Sequence, residues 1–582
     1  MSKDFIIKQY NFDDFWKQQV AIEEKWRDRP VVYLINNSKS IYIWETNSAV
    51  TRFWQHLMNP ERIWLKRINI IFDDTFNKSA ILDIEQNLIQ YFWADNRYKI
   101  LNKNWWQSAK HNYYQRESYI SKFDLIREQL RKLWLADKNI ADIRNSDLFK
   151  YSPYNTLTEE QEDVSKNIIY DIIEKLKNKK DGTAIINWWA GTWKTIVLIN
   201  MIYKLINASK MDFDEAIDDP ELTDYIQFIH DIKNFISKYK WKNWELKLAY
   251  ISPMVSLRST IKEVFHKTWN WLKWSLVIWP LEMVNNTFKT RTKYDVVFVD
   301  EAHRLAKRKN IWYIWSFDNA AKKCWLNPLN SNLLDFIVKC SKYRVLVYDK
   351  WQTVKWSDIT EWEFNQSLAK SEKKDFWLTS QLRCKWWNDY LTYLENIFNC
   401  TQKWKEIIKD YELKIFDNVW NMTSNIVKKD KEIGLCRNVA WYSRKRISKW
   451  YKNIEEIKSN NKEDININWY KYIRNMTNEK RILSENAIDT IWCIHTTQWY
   501  DLNYVWIIFW EEIDYDHEKN KIIIKKYNFY DTNVWKWATD DELRQYIINA
   551  YKVMMTRWIR WCYIYACNKW LKAYLSKFID KA

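Results

Sequence analysis

The stretch Ile185-Ile186-Asn187-Trp188-Trp189-Ala190-Gly191-Thr192-Trp193-Lys194-Thr195 restricts the fold of this chain more than any other. It joins a short apolar run to a helical apolar run over 196–205, where a phosphate-binding loop sits between a strand and a helix. The template G-x-x-x-x-G-K-[ST] needs backbone N–H groups close to phosphate oxygens, a Lys reaching the β/γ-phosphates and a hydroxyl on Mg2+. Here the two template glycines are Trp188 and Trp193.

Composition bears directly on that mismatch. An average chain carries roughly 7% Gly, about 41 residues at this length, whereas this chain of 582 holds 3 Gly and 41 Trp. The tryptophans fall where only glycine is mechanically suited, beside a phosphate or in a tight turn. A side chain on left-handed backbone costs roughly 1–2 kcal/mol, and an indole inside a phosphate loop would fill the ligand's volume. We therefore read most of these Trp as Gly in the native protein, a UGA codon decoded there as Gly and written here as Trp. The other reading, a Trp-rich chain with a dead loop, binds no nucleotide.

Length gives room for roughly three or four domains, each with its own core. A net charge of +18 suits a polyanion partner, although the Lys, Asn, Ile and Tyr usage of an AT-rich genome has the same sign. The 8 Cys form neither a C-x-x-C pair nor a zinc spacing and read as reduced thiols. Residues 1–30 are charged throughout, and no apolar run reaches the roughly 18 residues of a membrane span. A cytoplasmic protein without a membrane segment is expected.

In chain order, 31–35 and 41–43 read as two strands joined by the polar turn Asn36-Asn37-Ser38-Lys39. Arg52 and His56 follow at i, i+4 on one helix face, then Glu85 in a helical run over 83–92, then Asn102. Together with Tyr33 and Tyr42 these could form a one-metal site for phosphodiester cleavage. Taken singly, the tyrosines are half-buried strand residues and Glu85 a solvated helix charge. Over 30–106 the set resembles the GIY-YIG nuclease family: Tyr33 matches the first half-motif and Tyr42-Ile43-Trp44 the second, Trp44 standing for Gly. Val31 departs from the pattern, occupying a Gly position. The resemblance implies that Arg52 stabilises charge on the scissile phosphate and that Glu85 binds one divalent metal, Mg2+ or Mn2+. It also implies that Tyr33, Tyr42 and His56 position or deprotonate water, and it matches Asn102 to a late Asn.

Phe123, Ile126, Leu130 and Leu133 keep a helical rhythm, so 118–150 reads as a helical connector. Leu157-Thr158-Glu159-Glu160-Gln161 opens the next region, where Gln161 reads an adenine edge or lies on the surface. Residues 207–246 suggest a helical insertion. After the strand 248–253, Ser256 and Arg258 are placed to grip a nucleic-acid backbone. The apolar strand from Tyr294 ends in Asp300-Glu301-Ala302-His303. A buried strand has little use for adjacent carboxylates unless a cation or water sits there, so Asp300 would hold Mg2+ and Glu301 would orient and deprotonate the attacking water. A further strand over 343–349 leads to Gln352, a γ-phosphate sensor. Leu378-Thr379-Ser380-Gln381-Leu382-Arg383 offers Arg383 as an arginine finger. The late runs 490–501 and 551–561 contain His495, Asp501 and Arg557.

With Trp499, Trp558 and Trp561 read as Gly, residues 151–570 resemble superfamily 1 helicases and, among them, the Schlafen group 3-like DNA/RNA helicase family. The resemblance implies an α/β protein: a small α+β GIY-YIG-type domain over 1–115, a helical connector over 116–150, and two RecA-like parallel-sheet lobes over 151–370 and 371–582. ATP would be held by Gln161, Trp188, Trp189, Ala190, Gly191, Thr192, Trp193, Lys194 and Thr195. Thr195 and Asp300 would hold Mg2+, and Glu301, Gln352, Arg383 and Arg557 would act in hydrolysis. The implied partner is DNA or RNA. A competing reading is a nucleotide-gated nucleic-acid binding switch with an inactive nuclease fold, for which Val31 speaks.

Overall fold

A computed structural model describes residues 5–12, 29–48, 64–102, 115–153, 155, 157–188, 194–208, 223–239, 246–268, 272–309, 311–349, 352–353, 357–378, 387–406, 412–433, 436–440, 447–448, 451, 454–467, 470–474, 490–493, 502–529, 539–556 and 558–582. The chain forms two compact units, one of 1–180 with 195–249 and 259–277, the other of 181–194 with 250–258 and 278–582.

The first unit begins with a sheet of order β1-β4-β2-β3-β5, from β1 (Phe5–Asn11), β2 (Val31–Asn36), β3 (Ser40–Thr46), β4 (Arg67–Asp73) and β5 (Lys99–Ile100). The expected hairpin is β2–β3, one residue longer at the end of the first strand and wider at both ends of the second than its apolar letters alone suggest. Asn37 sets its turn: its side-chain oxygen accepts from the N–H groups of Lys39 and Ser40, the short polar turn chemistry that lets two strands reverse. Every residue of both strands is buried. The helix Lys78–Asp95 is capped by Asn77, whose side chain accepts from the Ala80 N–H. The connector is built from the helices Arg116–Lys132, Ile140–Asn145 and Asp147–Lys150. Arg127 anchors it through a buried 2.8 Å pair with Asp95, whose carboxylate also accepts from the N–H groups of Asp137 and Lys138. Of the expected insertion, the helix Thr223–Tyr239 is described. Lys204 is buried against it, over the Tyr225 and Phe228 rings and paired with Glu162 at 2.5 Å.

The second unit carries two large sheets, parallel except for one antiparallel pair at an edge. In the first of them the order is β11-β6-β10-β9-β7-β8, with β6 (Gly182–Trp188), β7 (Leu248–Ile251), β8 (Val277–Ile278), β9 (Tyr294–Val299), β10 (Ser341–Tyr348) and β11 (Glu372–Leu378). The register Tyr348↔Asn187 and Leu346↔Val299 brings the C-terminal ends of β6, β10 and β9 to one edge. The other sheet runs β14-β15-β16-β13-β17-β20-β12-β21. Its strands are β12 (Glu412–Ile415), β13 (Cys436–Ala440), β14 (Ile465–Ile467), β15 (Tyr470–Arg474), β16 (Thr490–Cys493), β17 (Leu502–Phe509), β20 (Trp558–Ala566) and β21 (Asp580–Lys581). A hairpin of β18 (Ile513–Asp516) and β19 (Lys521–Ile524) lies between. Along β17, Val505, Ile507 and Phe509 join one apolar cluster while Tyr504, Trp506 and Ile508 join another. Burial on both faces is what a continuous apolar run in a parallel strand requires. The α/β class and two parallel-sheet lobes expected from the sequence are therefore present, but β11 pairs with β6 in the first sheet, past the expected boundary at 370.

Several helices end on a left-handed non-glycine residue, Lys179 and Cys400 among them, and at two such ends that residue is tryptophan. After Arg116–Lys132, Trp134 sits at φ 59. Its N–H bonds to Arg131 O, and the Leu135 N–H bonds to Leu130 O. After Ile314–Lys323, Trp325 also has φ 59, with its N–H on Lys322 O and the Leu326 N–H on Ala321 O. Both are Schellman closures, whose left-handed position is usually glycine, and both indoles stand in solvent, 81% and 91% exposed.

Candidate functional site

At the edge where β6, β10 and β9 end, Lys194, the lysine of the loop that the sequence marks, begins the helix Lys194–Asn207. Its Nζ lies 3.4 Å from Asp349 Oδ2. The Gln352 side-chain amide donates to the same oxygen at 2.6 Å, and the Gln352 N–H reaches Asp349 O at 3.2 Å. All three residues are buried. On the next strand, Asp300 is fully buried. Its N–H is held by Ile251 O at 2.8 Å, and its Oδ2 accepts from the Tyr250 hydroxyl at 2.7 Å. Glu301 turns the chain out of the strand with φ 54 and ψ 49, left-handed backbone that costs a non-glycine residue roughly 1–2 kcal/mol. Such strain gathers where geometry serves a function. His303 Nε2 is 3.0 Å from Glu301 Oε2, within ion-pair reach but off the line of a hydrogen bond.

This donor set fits a magnesium nucleotide. Carboxylates are hard oxygen donors of the kind Mg2+ takes, and a lysine that opens a helix suits phosphate. The structure thus brings Lys194, Gln352, Asp300 and Glu301 to one sheet edge. Thr195 follows Lys194 in the same helix. Trp188 ends β6, and Trp189, Ala190, Gly191, Thr192 and Trp193 lie outside the described residues, as do Arg383 and Arg557. Gln161 is buried rather than on the surface. Its side-chain oxygen accepts from the Thr158 N–H in a capping box, and its amide nitrogen has no partner among the described residues. Arg258 donates to Ser252 O at 2.6 Å and lies over the Trp279 ring, so its guanidinium closes the end of a core strand.

In the hairpin domain, Tyr33 and Tyr42 are fully buried, not half-buried. They pack with Trp44 in one apolar cluster, Tyr42 stacked on Trp44 at 5.8 Å. Glu45, one residue on, belongs to the strand's opposite face. There its carboxylate pairs with Lys78 at 2.6 Å. Glu85 is 3% exposed, which corrects the picture of a solvated helix charge. Burial, and then the like charge of Glu45, raise its carboxyl well above the ordinary range, while Lys78 pulls it back. Its Oε2 has no partner among the described residues. Asn102 bridges strands: its oxygen accepts from the Ile43 N–H and its amide donates to Ile43 O. Arg52 and His56 lie outside the described residues. Among the described residues no group of three or more His, Cys, Asp or Glu that could hold a metal ion is found.

Sequence reasoning missed Tyr250, Asp349 and Glu45 as site residues. Asp349 ends an apolar strand just as Asp300 does, and Glu45 breaks the apolar run of a strand in which every position is buried. Those were the available signals. Tyr250 gave none, because its partner is distant in sequence. Among the described residues no helix is long and apolar enough to cross a membrane.

Known proteins bear on the lobes. An uncharacterized protein of Saccharomyces cerevisiae is 23% identical over 464 residues, spanning 72% of this chain and 91% of that protein. Among solved structures, a DEAD box protein from the hyperthermophile Methanococcus jannaschii is similar at 11% identity and a TM-score of 0.24, over 74% of this chain and 98% of that one. The Pif1 helicase from Candida albicans is similar at 10% identity and a TM-score of 0.21, over 47% of this chain and 54% of that one. The family model for the Schlafen group 3, DNA/RNA helicase domain matches residues 182–568, from the first residue of β6 through the strand β20. Spanning more than half of the chain and both parallel sheets, that match makes this protein a member of the Schlafen group 3 DNA/RNA helicase domain family.

Proposed function

We propose that the chain couples ATP hydrolysis to movement along, or remodelling of, DNA or RNA, and that its hairpin domain is a GIY-YIG-type nuclease that cuts where the motor delivers it, in repair or defence. One observation carries the motor: Lys194, Asp300, Glu301 and Gln352 end or follow three neighbouring parallel strands inside the family-matched stretch. In this reading Lys194 holds the β/γ-phosphates and Thr195 and Asp300 hold Mg2+. Tyr250 fixes the Asp300 carboxylate, and Glu301 takes the proton of the attacking water. Arg383 and Arg557 would complete the charge in the closed state and couple hydrolysis to lobe movement. The metal, when bound, draws charge from the phosphate oxygens.

The phosphate loop needs glycine at 188 and 193, so the reading includes decoding of most Trp as Gly. The left-handed, solvent-exposed Trp134 and Trp325 support it independently of the loop. So does Trp506, a buried indole whose N–H has no partner among the described residues, since a buried Trp N–H normally finds one. Mass spectrometry of the native tryptic peptide ending at Lys194 tests it, and indole masses at 188 and 193 would refute it.

For the nuclease, Glu85 beside Glu45 and Lys78 is the supporting geometry. Val31 and the complete burial of Tyr33 favour the competing reading, a nucleotide-gated nucleic-acid binding switch with an inactive nuclease fold. A strand-displacement assay alongside metal-dependent cleavage separates the two. A switch shows ATP-dependent affinity for nucleic acid with neither displaced strand nor cut product.

A further inference from the structure

We infer that Asp349 is the resident counter-anion of Lys194, that nucleotide phosphate takes its place, and that Gln352 sets how firmly Asp349 holds on. This deepens the motor reading and rests on Lys194 being the phosphate-binding lysine.

The placement follows from the strands. β10 and β6 run parallel with Tyr348 opposite Asn187, so the residue after β10, Asp349, emerges beside the start of the loop that ends at Lys194. Burial does the rest: Lys194, Asp349 and Gln352 are 7%, 5% and 2% exposed. An ammonium so enclosed needs an anion close by, and Asp349 supplies it while no phosphate is there.

Two of the Asp349 contacts differ in firmness. Charge-assisted N–H···O bonds run at about 2.7–2.9 Å. The Lys194 contact is longer, 3.4 Å, whereas the Gln352 amide grips the same Oδ2 at 2.6 Å. Of these two contacts, the one from Gln352 is the closer, and the one from Lys194 is loose. A phosphate oxygen and a carboxylate cannot both crowd one ammonium without repelling each other. Lys194 exchanges the one for the other, and Gln352 keeps the displaced carboxylate aside. Gln352 thereby affects nucleotide binding without itself touching a γ-phosphate. Asp349 is a positioning residue, acting through Lys194.

Equilibrium binding of ADP and ATP with Mg2+ to the full native chain, read by displacement of a fluorescent ADP, tests this. Asp349→Asn keeps the shape and removes the competing charge, so ADP should bind about 3- to 10-fold tighter, and Asp349→Glu should restore the original affinity. Gln352→Ala lets Asp349 close on Lys194 and should weaken ADP about 2- to 5-fold, although ADP has no γ-phosphate for Gln352 to sense. Unchanged or weaker ADP binding by a folded Asp349→Asn overturns the inference. So does a Gln352→Ala protein that loses affinity for ATP alone. Should Asp349→Asn fail to fold, Gln352→Ala decides through ADP. Lys194→Ala separates the layers: undiminished ADP binding there overturns the phosphate role of Lys194 itself. Lost binding there with an unaltered Asp349→Asn overturns only the exchange.

Discussion

The edge of the first parallel sheet and the β2–β3 hairpin both bury carboxylates, but they keep them differently. At the sheet edge each acid has a dipole or a cation at hand: Tyr250 on Asp300, Gln352 and Lys194 on Asp349. At the hairpin, Glu85 is raised by burial and by Glu45, with Lys78 only partly offsetting them. The difference teaches that buried acids at the sheet edge are met by donors already in place, whereas at the hairpin burial and a like charge favour the protonated form of Glu85.

The strongest way to break that contrast is Lys194→Ala. Removing a preorganised cation from a phosphoryl-transfer site should cut nucleic-acid-stimulated phosphate release by about 100-fold or more, and near-normal turnover would strip the sheet edge of its role. Next in size, Asn102→Ala takes away a bridge made twice to Ile43 and should cost about 2 kcal/mol in urea unfolding. A smaller loss would mean that the hairpin does not depend on that bridge.

Glu85→Gln sharpens the comparison by its sign. An acid with a raised native value holds a proton that the unfolded chain has already lost above its ordinary 4.5. Native stability therefore falls as pH rises through the window between the two values. Without divalent cations, Glu85→Gln should stabilise the protein at pH 7 by about 1 kcal/mol and flatten the pH profile of the melting temperature. With Mn2+ present the order should reverse, because only the wild type gains a ligand. Destabilisation in the metal-free protein would show that Glu85 is already balanced. The smallest effect is expected from Tyr250→Phe, which leaves Asp300 in place but less firmly aimed. Turnover should fall about 5-fold, the equivalent of roughly 1 kcal/mol for one hydrogen bond, with little change in stability.

Much of the fold was legible because strands buried on both faces read as unbroken apolar runs. Residues 31–35, 296–299 and 504–509 are such runs, and each ends close to where the letters turn polar. Strand ends carrying Asp300-Glu301 were legible for the same reason, since charge after such a run is costly without a purpose. Helix ends were harder to find. The usual glycine stop is spelled Trp at 134 and 325, so the signal that ends a helix looked like an apolar residue continuing it. The pairings Tyr250–Asp300 and Glu45–Lys78 were out of reach because they join residues 50 and 33 positions apart, and a single sequence does not state which strands lie side by side.

Trp134 and Trp325 also have a practical bearing on making the protein. Each holds left-handed backbone under a Cβ, at roughly 1–2 kcal/mol, so a synthetic gene that spells these positions as glycine should yield protein that resists urea better than one that spells them with the tryptophan codon.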